Sequence, residues 1–172
     1  MKKFLVYFLL VLGLSSCNKD IEPLFNMPLE VDFEIPPGLS GILTHSFVIQ
    51  DIKNPINGFL STFNVDTSQI KTIQAGRGEL NARFGETNYQ FIDRVSILLV
   101  DSDNPEIQRE IYYLDFNSDT NNDTTLPLLS ALSNVNDLMK KETFDLEIKL
   151  TFRSFSPRLI ENRLIFNLQA FE

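Results

Sequence analysis

The stretch from Phe144 to Arg153 limits what this chain can fold into more than any other. Phe144, Leu146, Ile148, Leu150 and Phe152 alternate with Asp145, Glu147, Lys149, Thr151 and Arg153. Side chains on a strand point by turns to its two faces, so this order makes one apolar and one charged face. Wound as a helix, the same order would scatter its apolar groups around the axis and bury none of them well. The period recurs along the chain. Leu29, Val31, Phe33 and Ile35 alternate with Glu30, Asp32 and Glu34, and Pro36-Pro37-Gly38 stops that strand. Thr44 to Ile52 puts His45, Phe47 and Ile49 on one face and Ser46, Val48 and Gln50 on the other. The last segment, Ile160 to Phe171, aligns Ile160, Leu164, Phe166, Leu168 and Ala170.

Two central segments, Tyr89 to Val100 and Glu110 to Phe116, are apolar on both faces, as inner strands or interface strands are. Gln69 to Ala75 and Glu79 to Phe84 are weaker strand candidates, with Gly76-Arg77-Gly78 between them as a bulge or turn. Helical spacing is rare. Ile56, Phe59, Leu60 and Phe63 follow Pro55 at i, i+3, i+4, i+7. Leu128, Leu132, Val135 and Met139 predict a second helix around 127–140, with Pro127 in its first turn. The expected fold is mainly β: an antiparallel two-sheet β-sandwich of immunoglobulin-like or Greek-key type with one or two short helices. A closed barrel is the nearest alternative. A transmembrane barrel is disfavoured, because Asp145, Glu147, Lys149 and Arg153 would face lipid.

The N-terminus carries a different kind of signal. Lys2 and Lys3 precede an apolar run from Phe4 to Leu14, too short to span a bilayer, which takes about 20 residues. The run ends Leu14-Ser15-Ser16-Cys17. This resembles the lipobox of bacterial type II signal peptides. The resemblance implies cleavage before Cys17, a diacylglycerol on its thiol and an acyl group on the new amino terminus. Two or three acyl chains give stable membrane anchoring where one would not. Asn18-Lys19-Asp20-Ile21-Glu22 looks like the short export tag of surface lipoproteins in the Bacteroidota. The expected organisation is a signal peptide over 1–16, a lipidated cysteine and tether over 17–27, and a β-sandwich domain over 28–172.

Removing residues 1–16 from the 172 leaves 156, enough for one domain with a real core, and takes the net charge from −8 to −10. Such an acidic chain is a poor partner for nucleic acid, whose phosphates need Lys and Arg. Cys17 is the one cysteine and His45 the one histidine. A lipidated Cys17 leaves no disulfide, no thiol nucleophile and no cysteine-based zinc site. Ser46 follows His45, but neighbours on a strand point to opposite faces and make no dyad.

Acidic turns offer the one candidate ion site. Asp101 and Asp103 close one strand, and Asp115, Asn117 and Asp119 close the next, so oxygen ligands for Ca²⁺ are at hand. Read as an EF-hand, the register fails at Thr120 and Leu126. Solvated turns use the same residues. Tyr89, Tyr112 and Tyr113 are the candidate sugar platforms in a chain without Trp. Lys140, Lys141, Lys149, Arg153, Arg158 and Arg163 make the C-terminal third basic, as a partner surface or as charge guarding strand edges. Asp123-Thr124-Thr125 resembles the O-glycosylation motif of Bacteroidota, which makes Thr124 a candidate acceptor. No cofactor is expected apart from the candidate Ca²⁺, and no catalysis. The expected function is a non-catalytic, lipid-anchored envelope lipoprotein, a binding or structural accessory of an outer-membrane assembly, on its periplasmic or its surface face. Its expected partners are the membrane and an outer-membrane protein. The alternative is a surface module binding glycan or Ca²⁺.

Overall fold

Among the described residues the alternating segments become eight strands: β1 (Phe25–Ile35), β2 (Thr44–Lys53), β3 (Thr72–Ala82), β4 (Ile92–Val100), β5 (Gln108–Leu114), β6 (Thr125–Ser130), β7 (Thr143–Phe152) and β8 (Ile160–Phe171). One helix, α1 (Ile56–Phe63), lies between β2 and β3. The structure is a computed structural model and describes residues 22–41, 43–84, 88–115 and 124–172.

All pairings are antiparallel, in the order β1-β8-β3-β6-β5-β4-β7-β2. Within that order β4 pairs with β5, β3 with β6, β2 with β7 and β1 with β8. The chain is thus one long hairpin, folded at the β4–β5 turn and rolled up, which is the winding of a jelly roll. The two edges meet: the Phe33 ring of β1 lies 5.5 Å from the Phe47 ring of β2. The layer is therefore nearly closed, like a barrel. The expected division into two separate sheets is not shown, because hydrogen bonds run through β6 from one half to the other.

The alternation decides what lies inside. Phe144, Leu146, Ile148, Leu150 and Phe152 of β7 are all buried against Leu164, Phe166 and Leu168 of β8, Ile73 and Leu80 of β3, and Ile97 and Leu99 of β4. Removing one such side chain from water contributes about 1.5–3 kcal/mol. In β3 the alternation changes phase. Ile73 and Ala75 point inward, then Gly78 and Leu80, and the ladder to β8 steps from Ala75↔Leu168 to Gly78↔Phe166. One extra residue is accommodated at Gly76-Arg77, a β-bulge. The two weak candidates are thus one strand with a bulge in it.

Two expectations are corrected. No helix forms around 127–140. Residues Thr125–Ser130 are β6, and only a short 3₁₀ turn, Leu138–Lys140, follows. Pro127 suits a strand here because β5 pairs with β6 only at Leu129 and Ser130, so the missing N–H leaves no ladder bond unmade. Residues 25–27, expected in a tether, belong to the body instead. The Leu24 amide already donates to the Ala170 carbonyl at 2.7 Å, and β1 begins at Phe25.

The cylinder has two distinct ends. At one end α1 closes the core: Phe25 stacks on Phe59 and Phe63, at 6.0 and 5.8 Å. Asn54 fixes the helix start by accepting from the Ile56 amide and donating to the Met139 and Lys141 carbonyls. Asn64, in the left-handed conformation at φ 52°, ends it. At the other end the β1–β2 and β7–β8 loops are laced together. The Gly38 amide donates to the Ser156 carbonyl, the Ser156 amide to the Leu39 carbonyl, and the Ser156 hydroxyl to the Pro36 carbonyl.

Candidate functional site

Four large apolar side chains stand in solvent at the loop end: Leu43, Phe84, Phe155 and Leu159, each more than half exposed. Leu43 ends the β1–β2 loop, Phe155 and Leu159 lie in the β7–β8 loop, and Phe84 follows β3. The hydrogen bonds above hold the first two loops together. The Arg83 amide donates to the Glu161 carbonyl at 2.9 Å, which brings the segment of Phe84 beside the start of β8. The Arg83 guanidinium lies 5.8 Å from the centre of the Phe84 ring. Exposed apolar groups scattered singly are ordinary, but grouped on adjoining loops they mark a contact surface. Sequence reading did not single them out. The available signal was a large apolar residue set among turn formers, as in Gly41-Ile42-Leu43, Arg83-Phe84-Gly85 and Ser154-Phe155-Ser156-Pro157.

At the helix end a cleft of about 190 Å³ lies between α1 and the segment before β7. Ile56, Ile70 and Met139 form its apolar floor, and Asn136, Lys140 and Glu142 its polar rim. Lys141 borders it too, but its ammonium is committed to Asp101 Oδ1 at 2.6 Å and Asp103 Oδ2 at 2.8 Å.

That ion pair bears on the candidate Ca²⁺ ligands. Asp101 also accepts from the Asp103 and Asn104 amides. Lys141 and these amides hold its carboxyl below the usual range, and the two carboxylates in turn hold the Lys141 ammonium above its own. Asp115 lies elsewhere, paired with Arg94 at 2.8 Å near the start of β4. Arg94 and Val100 are six residues apart, about 20 Å along a strand. Asp101 and Asp115 are therefore at opposite ends of the β4–β5 hairpin, and the expected ligands do not form one Ca²⁺ site. Asn117 and Asp119 lie outside the described residues, as does Cys17. Among the described residues no group of three or more His, Cys, Asp or Glu side chains is placed to hold a metal ion.

Two of the three tyrosine platforms are corrected as well, and the third, Tyr113, is half-buried on β5. Tyr89 is buried and donates to Asn162 Oδ1 at 2.8 Å, and Tyr112 is buried and donates to the Asn167 carbonyl at 2.7 Å. Burial pushes both phenols up. Neither ring is presented to a sugar. His45 Nε2 donates to the Ser40 carbonyl at 2.9 Å, and its ring stacks on Phe152. Ser46 donates instead to Glu147 at 2.6 Å. Several basic residues of the C-terminal third are spent on ion pairs, toward a neighbouring strand for Arg163 and Arg153 and within β7 for Lys149. Arg163 bonds Asp32 at 2.7 Å, Arg153 bonds Asp93 at 3.2 Å, and Lys149 bonds Glu147 at 3.2 Å. Lys149 and Arg163 sit on the inner strands β7 and β8 and guard no edge, whereas Arg153 follows the end of β7. Thr124 is half-buried beside the start of β6, and its carbonyl accepts from the Ala82 amide.

No protein-family model matches the chain, and no curated protein matches it. Among solved structures, a chain of Desmodium yellow mottle tymovirus is similar, with a TM-score of 0.29 and 10% sequence identity, covering 86% of this chain and 89% of that chain. No helix among the described residues is long and apolar enough to cross a membrane.

Proposed function

We propose that the chain is a lipid-anchored bacterial lipoprotein of the outer membrane that acts by binding a protein partner, without catalysis, as an accessory of a larger envelope assembly. The lipobox-like Leu14-Ser15-Ser16-Cys17 supports the anchor. The observation that carries the binding role is the apolar group Leu43, Phe84, Phe155 and Leu159, at the end of the cylinder opposite the point where Leu24 joins the body. A protein tethered at one end and apolar at the other is arranged to hold a partner at a fixed distance from its membrane. The reading keeps a two-sheet architecture as a proposal, with β1-β8-β3 turned onto β4-β7-β2 at β6. The two residue pairs between β5 and β6 support such a corner.

The test is a gentle-detergent pull-down of the tagged protein from its native cells, read by quantitative mass spectrometry. Wild type should bring down one stoichiometric outer-membrane protein. A variant with Leu43, Phe84, Phe155 and Leu159 all changed to Ser should lose it while keeping its β-sheet circular dichroism. Recovery of the same partner by that variant would sink the proposed surface, and recovery of none by wild type would sink the accessory role. Cys17→Ala should leave the membrane fraction. We propose Thr124 as a glycosylation site on the same footing, and an intact mass without added hexose removes it.

A further inference from the structure

We propose that the helix end of the cylinder rests directly on an uncharged lipid surface, through Phe63 of α1 and Leu132. This rests on the lipid-anchor reading of Cys17.

The chain geometry sets the orientation. Leu24 is bonded to Ala170 at the helix end, and Cys17 lies seven residues before it. Seven residues reach about 25 Å at full extension. The twelve residues of β8 run about 40 Å along the cylinder. With its acyl groups in the bilayer, the chain is too short to run past the body and bring the loop end down. The helix end therefore faces the lipid, close enough to touch it.

The chemistry of that end fits contact. Helix α1 reads Ile-Asn-Gly-Phe-Leu-Ser-Thr-Phe, without a single charged side chain. Phe63 at its last position is half exposed although it stacks on Phe25, and Leu132 beyond β6 is 87% exposed. Ile107, just before β5 at the same end, is 36% exposed. A neutral helix with apolar groups at its rim lies comfortably in the interfacial zone of a bilayer, where charged side chains would resist burial. Asp66, Asp103, Glu106, Asp137, Glu142 and Glu172 belong to the same end and disfavour anionic lipid, while Lys53, Lys71 and Lys140 offset part of their charge. The contact is therefore apolar and should be insensitive to salt.

The chain has no Trp, so one introduced Trp reports alone. The test uses the full lipidated protein in phosphatidylcholine vesicles carrying bromine on the acyl chains. Trp is placed singly by Phe63→Trp, Leu132→Trp or, at the opposite end, Phe155→Trp. The expected result is blue-shifted, bromine-quenched emission from the first two and water-like, unquenched emission from the third. Leu132→Trp keeps the test decisive if Phe63→Trp disturbs α1. If the protein floats with the vesicles but neither helix-end Trp is quenched, the contact is refuted and the anchor stands. Quenching of Phe155→Trp alone refutes the orientation. If the wild-type protein made in its native cells fails to float with vesicles, the anchor reading falls and this inference with it.

Discussion

Asp101 was legible as a residue that binds a cation, but its cation is an amine from this same chain, Lys141, forty positions away. Local sequence shows the oxygen donors and cannot show what the fold brings to them. The pairing sets a pH dependence. Asp101 titrates below its ordinary value of 3.8 in the folded chain, so its contribution is complete above that value and is lost as pH falls through the lower folded one. Lys141 titrates above 10.5, so its contribution is complete below that value and is lost only as pH rises through the higher one. Lys141→Met should therefore destabilise the chain at neutral pH and move its acid unfolding midpoint to higher pH, as read by thermal melts through the acid range. A second residue-scale test concerns Gly78. A Cβ there would come within 2.6 Å of Cε1 of the Tyr112 ring, whose hydroxyl is fixed on the Asn167 carbonyl. Gly78→Ala should cost about 1–3 kcal/mol in urea unfolding, as overpacking of a well-filled core does. Sequence reading recognised Gly76-Arg77-Gly78 as an irregularity. Which glycine abuts which ring depends on β5 crossing beside β3, and nothing local encodes that.

Strands whose two faces differ in polarity were readable and those with a break were less so. β7 and β1 announce themselves because each buries one face, and that face is continuous from end to end. β3 read as two pieces because the bulge shifts its inward set by one position. The 127–140 segment misled for a physical reason: Val135 and Met139 are buried by a loop that folds back under the cylinder, and together with Leu128 they mimic a helical stripe. The Val135 amide on the Ile73 carbonyl and the Asn134 side chain on the Ile73 amide hold that loop. The edge strand β2 carries its own bulge between Ile49 and Ile52, with Asp51 at φ 57°. The Asp51 amide, displaced from the ladder, donates to Asp145 Oδ1 at 2.9 Å. Asp145→Ala removes that acceptor and leaves the Asp51 amide, on an exposed residue, to water, so it should destabilise by about 0.5–1.5 kcal/mol. Asp145→Asn keeps an acceptor and should lose much less. Equal losses from the two, measured by urea unfolding, would show that the bond contributes little.

For the molecule as a whole, class and pairing sense were legible, whereas the winding was not. Alternation says that strands exist and which face is inward. It does not say that β1 finds β8 across most of the chain. That choice follows from rolling one hairpin around a single core, and its price is long-range pairing. Such topologies fold slowly, on the order of milliseconds to seconds. Refolding followed by tyrosine fluorescence should accordingly show no complete recovery in the submillisecond range. The roll also determines how the molecule bears load. The chain joins the body at Leu24 and then runs the length of the cylinder as β1, paired to β8 along eleven positions. A pull on the preceding segment, resisted at the far loops, acts along β1 and parallel to the strands. The β1–β8 hydrogen bonds then share the force in shear, where a pull across the sheet would break them one after another. The same first strand that closes the roll would make it a strong mechanical link between the anchor proposed at Cys17 and the partner proposed for the loops.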